Sequence, residues 1–375
     1  MRGSWISMGC AAFLGVCGCE GPAPATTDAA APMMDDAGIV DAAVVIGPRA
    51  CERSTAPLER FASGTRDGFA LSGDRYAVAW TEMVPFGPPP TSFLRVTDAG
   101  GAPIGEPRSI ERALSLVGID GGFVAIEAAG VQRYDLDGAP VGARIAWPSG
   151  ETMYLDWLGS RVVYALEGRQ LFVVVRQGAS GAVARVDIDG ASAEIAHAST
   201  LWLESPAAVT SVAGLAVDRN DLPLELRFAG GDHELLPWTM GDDLLAAASD
   251  GGQTWWTAAA RRTDDGVRPV MTHFVAGADP DVAVFEDVPL GSRDVTVTVG
   301  DDAIAFTGNN MFTDSWIVMV DRETSQPSAA TTIEGVMGRP LLVWEPRSRS
   351  FTAMGGTLTP EGGQQLVIRC GITAR

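Results

Sequence analysis

The sequence predicts an all-β fold that repeats a four-stranded unit, and three observations support this prediction. Glycine (44 residues) and proline (23 residues) are frequent and fall between short runs of alternating hydrophobicity. Helical periodicity is almost absent. A small alanine flanked by larger, mostly apolar residues returns seven times at intervals of about 46 residues, the length of one propeller blade. We therefore predict a β-propeller of seven four-stranded blades, with six or eight blades left open because the spacing is uneven.

Two kinds of strand recur in each predicted blade. A propeller narrows toward its axis and its inner strands need small side chains, so we expect the alanine strands to line that axis. A second strand type follows, and in several copies it leads into an aspartate-rich turn such as Asp98-Ala99-Gly100. The alanine strands are centred on Ala79, Ala125, Ala165, Ala216, Ala246, Ala305 and Ala353, and the second strands cover residues 93–96, 131–134, 183–186, 224–227, 270–273, 316–319 and 366–369.

Closure of the ring is predicted from the two ends of the domain. The last strand of the second type runs directly into Cys370, so an outer strand is still needed to complete that blade. The segment after Cys51, including residues 58–61, is the expected donor. A Cys51–Cys370 disulfide would lock the closure and contribute roughly 5 kcal/mol on the chain-entropy model. The alternative is a pair of free thiols.

The first 19 residues have the features of an export signal. Met1-Arg2 precedes a modestly apolar run over residues 6–16 that is too short to span a bilayer. Val16-Cys17-Gly18-Cys19 resembles the bacterial lipobox, and this resemblance implies cleavage before a cysteine that receives lipid. The small glycine favours Cys19, with Cys17 as runner-up and an ordinary cleaved signal as the alternative. We expect a protein that is exported and lipid-anchored in the bacterial cell envelope, at the outer membrane or the cell surface.

The composition changes over residues 20–50, where alanine, proline and aspartate dominate. No helical or strand period persists there, so we predict a disordered tether that holds the domain of residues 51–375 away from the membrane. The chain has no lysine; all 27 basic residues are arginine, and the formal net charge is −20. This charge argues against nucleic acid or an anionic lipid surface as a partner of the domain.

One short segment resembles a known turn motif. Residues 249–255, Ser-Asp-Gly-Gly-Gln-Thr-Trp, resemble the Asp box of sialidases, related glycoside hydrolase propellers and non-enzymatic sorting receptors. Ala248 departs from that pattern, which has serine there. The resemblance implies a structural hairpin away from any active centre, in which the aspartate bonds the turn backbone and the tryptophan packs beneath. The matching residues are Asp250, Gly252, Thr254 and Trp255.

The sequence offers no complete catalytic or metal-binding motif. A Gly-x-Ser-x-Gly nucleophile motif is absent, and His197, His233 and His273 are too widely spaced for a local zinc motif. We therefore assign no catalytic residue, no metal ligand and no cofactor. The interpretation that we favour for the carboxylates after the alanine strands is that they open hairpin turns and face solvent. The alternative is a calcium-binding ring of the carboxylates that share a strand face with their alanine, namely Glu127, Glu167, Asp218 and Asp250; Glu82 also follows an alanine strand but lies on the other face.

The predicted function is non-catalytic: a binding or scaffold module for an envelope protein or a glycan. Binding residues concentrate on loops of rigid scaffolds, so loops 84–91 and 308–315 are the preferred ligand-binding candidates. The alternative is a glycan-directed extracytoplasmic hydrolase or lyase whose site combines several blades at one mouth of the propeller. Four tryptophans are expected in the core between blades rather than in a sugar site: Trp80, Trp255, Trp316 and Trp344.

Overall fold

The computed structural model describes residues 60–61, 64–83, 86–148, 152–153, 161–177, 180–202, 206–217, 224–236, 242–251, 254–275, 277–309, 314–358 and 364–373. All of them belong to one unit, Val45–Arg375. The predicted signal, tether and lipidation site, as well as Cys51, lie outside the described residues. Within the described part, no helix is long and apolar enough to cross a membrane.

The described residues form 28 β-strands. The first fourteen in chain order are β1 (Arg60–Phe61), β2 (Gly64–Ser72), β3 (Arg75–Glu82), β4 (Thr91–Thr97), β5 (Pro103–Ile110), β6 (Ala113–Ile119), β7 (Gly122–Glu127), β8 (Gly130–Asp135), β9 (Pro140–Ala146), β10 (Thr152–Met153), β11 (Tyr164–Glu167), β12 (Gln170–Gln177), β13 (Ser180–Asp187) and β14 (Ser192–Trp202). The remaining ones are β15 (Pro206–Val209), β16 (Ala213–Val217), β17 (Leu224–Phe228), β18 (His233–Leu236), β19 (Asp243–Ser249), β20 (Thr254–Thr263), β21 (Gly266–Val275), β22 (Asp281–Val284), β23 (Arg293–Val299), β24 (Ala303–Asn309), β25 (Asp314–Asp321), β26 (Thr331–Glu345), β27 (Ser350–Leu358) and β28 (Gln364–Ile372).

These strands form six antiparallel sheets of a β-propeller. Four sheets are simple four-stranded meanders, with the orders β2-β3-β4-β5, β6-β7-β8-β9, β15-β16-β17-β18 and β19-β20-β21-β22. A fifth sheet has the order β10-β12-β13-β14, and β11 also pairs with β12. The sixth sheet has seven strands, in the order β1-β28-β27-β26-β25-β24-β23. The all-β propeller prediction is therefore confirmed.

The number of separate sheets is six, which was left open, rather than the favoured seven. The reason is β26, a strand of 15 residues. Its first part pairs with β25, placing Thr331 opposite Ile317, and its second part pairs with β27, placing Leu341 opposite Met354. One continuous strand thus ends the sixth repeat and begins the seventh, so the last two repeats share a single hydrogen-bonded sheet.

The N-terminal segment closes the ring, as the sequence predicts. Strand β1 pairs with β28 in antiparallel register, with Arg60 opposite Gln365 and Phe61 opposite Gln364. Strand β2 begins three residues after β1 ends, at Gly64. The N-terminal segment therefore completes the last repeat and then starts the first one.

Most alanine strands are not the innermost strands, contrary to expectation. Five of the seven are the second strand of their repeat, namely β3, β7, β16, β24 and β27. Ala165 on β11 and Ala246 on β19 do lie against the central channel. Ala79 and Ala125 instead belong to a buried cluster with Leu94 and Phe123, formed by the first two sheets. Small side chains are used there to bring neighbouring sheets together rather than to line the axis.

Large side chains fill the space between sheets, where the sequence placed them. Trp80, Trp255 and Trp316 are buried, and Trp344 is partly buried against Phe351. The clusters connect successive repeats; one of them joins Val124 of β7 to Val173 of β12. Burial of this kind between neighbouring sheets supplies the main favourable energy of a repeat that cannot bury its faces alone.

The predicted aspartate turns are confirmed as turns between third and fourth strands. Asp98 Oδ1 accepts hydrogen bonds from the backbone N–H groups of Gly100 (2.9 Å) and Ala102 (2.8 Å). Asp135 Oδ1 accepts from residues 137 and 139 in the same way, and Asp187 Oδ1 from residues 189 and 190. Each carboxylate satisfies turn donors that would otherwise need water, as is usual for aspartate in turns.

Candidate functional site

A central channel of about 800 Å³ runs through the ring of inner strands. Seven strand segments line it. Five sheets contribute one segment each, and the seven-stranded sheet contributes two, from β23 and from the second part of β26. The lining residues are 65–69, 112, 114–115, 161–167, 207–209, 245–251, 296–299 and 339–342. A cavity of this size, enclosed by strands from every repeat, is where a propeller most readily accommodates a ligand.

The inner strands run in the same direction, which gives the channel two distinct mouths. A Cβ placed on Gly68 of β2 would lie 2.7 Å from Leu116 Cγ of β6, and one on Gly118 of β6 would lie 1.7 Å from the carbonyl oxygen of Leu71. Both strands therefore advance together along the axis. We call the mouth at which inner strands begin the start mouth and the opposite one the finish mouth.

Four arginines line the channel, and all of them lie at or just before the beginning of an inner segment. Arg66 is the third residue of β2, Arg112 immediately precedes β6, and Arg161 lies three residues before β11. Arg339 lies two residues before Leu341, where the regular pairing of β26 with β27 begins after a register shift. The start mouth is therefore the cationic end of the channel. This arrangement occurs in a chain whose formal net charge is −20.

Arg66 is fixed by the backbone that precedes the inner part of β26. Its Nη1 donates a hydrogen bond to the carbonyl oxygen of Met337 (2.8 Å). A Cβ on Gly338 would lie 2.6 Å from Arg66 Nη2, and Gly338 has a φ of +73°. The glycine thus permits both the left-handed turn and the close approach of the guanidinium. Arg339 is the next residue along the chain.

Arg161 links distant repeats at the start mouth. Its Nη2 donates a hydrogen bond to the carbonyl oxygen of Val295 (2.7 Å), which lies on β23, 134 positions further along the chain. Tyr164, three residues after Arg161, also lines the channel. Burial raises the pKa of Tyr164, while a hydrogen bond to Ser115 and the charge of Arg161 oppose that shift.

One carboxyl group, Asp67, lies among the described lining residues of the start mouth. Asp67 accepts hydrogen bonds from the hydroxyl groups of Thr65 (2.7 Å) and Thr81. Burial raises the pKa of Asp67, and the two hydroxyl donors and the charge of Arg112 lower it less strongly. Desolvation therefore dominates, and the ionised carboxylate is the costly form in the folded protein.

Arg339 differs in its hydrogen bonding from Arg66 and Arg161, whose guanidinium groups donate to backbone carbonyl oxygens. It lies between Met337 and Leu341, where the register of β26 with β27 shifts, and it lines the channel. Its Nε and Nη2 atoms are buried and have no hydrogen-bond partner among the described residues. These two donors lie on one edge of the guanidinium, the edge that binds a carboxylate through two parallel hydrogen bonds.

The finish mouth is lined by carboxylates that already have partners. Glu167 Oε1 accepts a hydrogen bond from the backbone N–H of Ser211 (2.7 Å). Asp250 forms an ion pair with Arg322, which belongs to the turn after β25. The channel is therefore cationic where its strands begin and acidic where they end.

The motif that resembles an Asp box lies at the turn from β19 to β20. Ser249 Oγ accepts from the N–H of Gly251 (3.3 Å) and donates to the carbonyl oxygen of Thr254 (2.7 Å), and Trp255 is buried. Gly252 lies outside the described residues. Among the described residues, Asp250 pairs with Arg322 rather than with the turn backbone. Ser249 therefore stabilises this turn, and Asp250 connects two repeats.

The hypothetical calcium ring does not form among its described members. Glu127 is buried and pairs with Arg144 (2.8 Å), while Glu82 accepts a hydrogen bond from Trp80 Nε1 (3.1 Å). Because β3 and β7 are second strands, neither carboxylate reaches the channel. Asp218 lies outside the described residues. No cluster of three or more histidine, cysteine, aspartate or glutamate side chains suited to a metal ion occurs in the described part of the chain.

Cys370 is buried and disulfide-bonded, and its partner lies outside the described residues. Its pairing with Cys51 therefore stays a prediction. Cys370 Sγ lies 3.7 Å from the hydroxyl oxygen of Tyr76, which donates to Glu345 (2.6 Å). These contacts place the disulfide where the last repeat meets the first.

The described strand ends that flank the two loops favoured as ligand-binding candidates lie on the start-mouth side of their sheets; for loop 308–315, Asn309 pairs with Arg293 at the beginning of β23. Glu82 and Thr91, which flank loop 84–91, pair with each other, and Glu82 pairs with Gly64 at the beginning of β2. In that loop Phe86 is fully exposed and has a φ of +60°. Part of each loop lies outside the described residues.

The arginines of the start mouth were missed by the sequence reasoning. Their common signal is an arginine at, or a few residues before, the beginning of an inner strand. That signal was not visible because the alanine strands were assigned to the axis, and some inner strands are only four residues long, such as β11 and β15.

Comparisons with known proteins support the fold and identify no family for this chain. No family model matches the chain, and no curated protein matches it. Among solved structures, hydrazine synthase from Kuenenia stuttgartiensis matches with a TM-score of 0.55 and 9% identity, over 82% of this chain and 96% of that one.

Two further structures are described as propellers. The WD40 β-propeller domain of Doa1 has a TM-score of 0.49 and 9% identity, over 83% of this chain and 95% of that one. The β-propeller domain of the trilobed protease from Pyrococcus furiosus has a TM-score of 0.48 and 11% identity, over 84% and 94%. At such low identity the similarity concerns the fold alone.

Proposed function

We propose that this protein is a lipid-anchored, extracytoplasmic β-propeller that binds an envelope ligand without transforming it, at the start mouth of its channel. The observation that supports this most is the channel itself, where arginines from several repeats converge on a space of about 800 Å³. Guanidinium groups stay charged at any physiological pH, so they hold and orient a ligand but do not exchange protons with it. A glycan or a protein segment would enter from the side that carries loop 84–91.

The alternative function, a glycan-directed hydrolase or lyase, is favoured by one observation. Asp67 is a carboxyl group at the start mouth whose pKa is raised by burial. A carboxyl group that keeps its proton closer to neutral pH is the usual general acid in glycoside hydrolysis. The two functions make different predictions about the ligand after it has been bound.

A retention experiment tests the proposed function. The full chain in detergent is incubated with envelope extract, and bound glycans and peptides are identified by mass spectrometry. Ala207 lines the channel near the beginning of β15, at the start-mouth end, so Ala207→Phe narrows the proposed site, and Ala207→Ser serves as the matched control. The proposal expects a ligand that is retained by the native protein and by Ala207→Ser, lost with Ala207→Phe, and recovered chemically unchanged.

Two results would contradict the proposal. A ligand that is recovered as cleaved or unsaturated product would support the hydrolase or lyase instead. Equal retention by all three proteins, each shown by circular dichroism and melting to be folded, would place the binding site outside the channel.

A further inference from the structure

We infer that Arg339 is the anchoring residue of an oxyanion subsite at the start mouth, and that the ligand carries a carboxylate or phosphate group which this guanidinium binds through two parallel hydrogen bonds. This inference rests on the proposed function and specifies its ligand chemistry. It depends on three properties of the site: the position of Arg339 on irregular backbone, its two donors and the charges around it.

The position of Arg339 is determined by the unusual strand β26. Where the strand crosses from one repeat to the next, its register with β27 shifts between Met337 and Leu341. Gly338 occupies a left-handed conformation with φ +73° immediately before Arg339. The arginine therefore lies on irregular backbone at the channel wall and is one of the residues that line the channel.

The two donors are the second property. Nε and Nη2 are buried, and no described residue accepts a hydrogen bond from either. A buried polar group without a partner costs free energy, and the cost is larger for a charged group. Both nitrogens are shielded from solvent, so binding requires the arginine side chain to rotate until this edge faces a ligand in the channel. An oxyanion then supplies the two missing acceptors.

The surrounding charges favour an anion at this place. Arg66 Nη2 lies beside Gly338, one residue from Arg339, and Arg161 is fixed nearby on the start-mouth side by its bond to Val295. Asp67 is the carboxyl group among the described residues of this mouth, and burial raises its pKa, which disfavours the negatively charged form. Fixed positive charges in a narrow low-dielectric channel concentrate anionic ligands from solution.

The inference is tested with small probes on the full chain in detergent. The anionic probes are sodium glucuronate for an acidic sugar, N-acetylglycine for a peptide carboxyl terminus, and inorganic phosphate; glucose and N-acetylglycine amide are the neutral counterparts. Binding is followed by isothermal titration for the native protein, for Arg339→Met and for the control Arg347→Met. Arg347 is exposed in the turn between β26 and β27 and does not line the channel, so its variant removes the same charge elsewhere.

We expect at least one anionic probe to bind the native protein and Arg347→Met, and its neutral counterpart to bind neither. Loss of a charged, bidentate contact should weaken binding to Arg339→Met by roughly 10- to 100-fold. In probe-free buffer, Arg339→Met should melt at the same temperature as the native protein or higher, because two buried donors without acceptors have been removed. The three probes separate the sugar, peptide and phosphate sources of the oxyanion.

Four results would overturn the inference. One is that none of the anionic probes binds; another is equal binding to the native protein and Arg339→Met. The third is a marked drop in melting temperature in Arg339→Met, which would indicate a structural arginine. An envelope ligand that is retained equally by the native protein and Arg339→Met would remove the oxyanion subsite but leave the proposed channel function standing.

Discussion

Replacing Gly118 by alanine tests the close packing of neighbouring inner strands, on which the geometry of the channel depends. A Cβ at this position would lie 1.7 Å from the carbonyl oxygen of Leu71 and 2.6 Å from its carbonyl carbon. Real Cβ atoms essentially never approach within 3.0 Å of another heavy atom. Strands β2 and β6 would therefore have to separate by about 1.3 Å, enough to lose a large part of the dispersion energy at their contact.

The cost follows from two contributions. Overpacking of a tight interior costs typically about 1–3 kcal/mol. The separation also affects Ser72, whose hydroxyl group donates to the carbonyl oxygen of Ile119 (2.5 Å) and accepts from the N–H of Gly122 (3.2 Å). Loss of such a buried bond costs about 1–3 kcal/mol. We expect Gly118→Ala to lower the free energy of unfolding by about 2–6 kcal/mol.

Urea titration followed by tryptophan fluorescence measures this difference, and two other glycines are matched controls. Gly121→Ala changes a residue with φ +78° and open space around it, so backbone strain alone should cost about 1–2 kcal/mol. Gly230→Ala meets no atom within 4 Å and has no positive φ, so it should be close to neutral. If Gly118→Ala were no more destabilising than Gly121→Ala, the close approach of β2 to β6 would be refuted.

Three further predictions concern titration, redox state and metal. Burial raises the pKa of Asp67, so ionisation of this carboxyl group destabilises the fold. As pH rises from about 3.8 through the raised pKa, the free energy of unfolding of the native protein, measured by urea titration, should fall relative to that of Asp67→Asn. A difference between the two proteins that stays constant at every pH would contradict this. Reduction with dithiothreitol, or Cys370→Ser, should lower the melting temperature markedly, because the disulfide contributes up to roughly 5 kcal/mol to the free energy of unfolding on the chain-entropy model. An unchanged melting temperature would argue against a stabilising disulfide. EDTA should leave the melting temperature unchanged, because Glu82, Glu127, Glu167 and Asp250 each have a different partner; a clear drop would indicate a stabilising cation.

The sequence carried enough information to predict the propeller and its closure. A recurring alanine and aspartate turns such as Asp98 and Asp135 mark repeats regardless of what surrounds them, because a buried small residue and a turn are local requirements. Closure was predictable because the last repeat reaches Cys370 without an outer strand, and β1 supplies it. Local rules therefore sufficed for the elements and for how the ring is completed.

The assignment of strands to the axis could not be made from the same pattern. Alanine is required wherever two surfaces come close, and in this protein that occurs mainly between neighbouring sheets, as for Ala79 and Ala125. Innermost strands such as β11 are short and partly exposed to the channel, so their hydrophobic pattern is weak. The joining of two repeats by β26 is a tertiary hydrogen-bonding property that no spacing in the sequence reveals.

The start mouth was hidden for a related reason. Arg66, Arg112, Arg161 and Arg339 are far apart in sequence and meet only because each lies near the beginning of an inner segment. With the inner strands misassigned, these residues are four among 27 arginines. The same limit applies to Asp250, whose motif predicted a turn but whose partner, Arg322, comes from another repeat.

The most direct test of the account is the ¹⁵N–¹H spectrum of arginine side chains in the full chain, selectively labelled on arginine. The Nε–Hε signal of Arg339, identified by its absence from Arg339→Met, should move on addition of a bound anionic probe, while that of Arg347 stays in place. A probe that binds but shifts only other arginines, or leaves the Arg339 signal unmoved, would contradict the claim that this guanidinium receives the ligand.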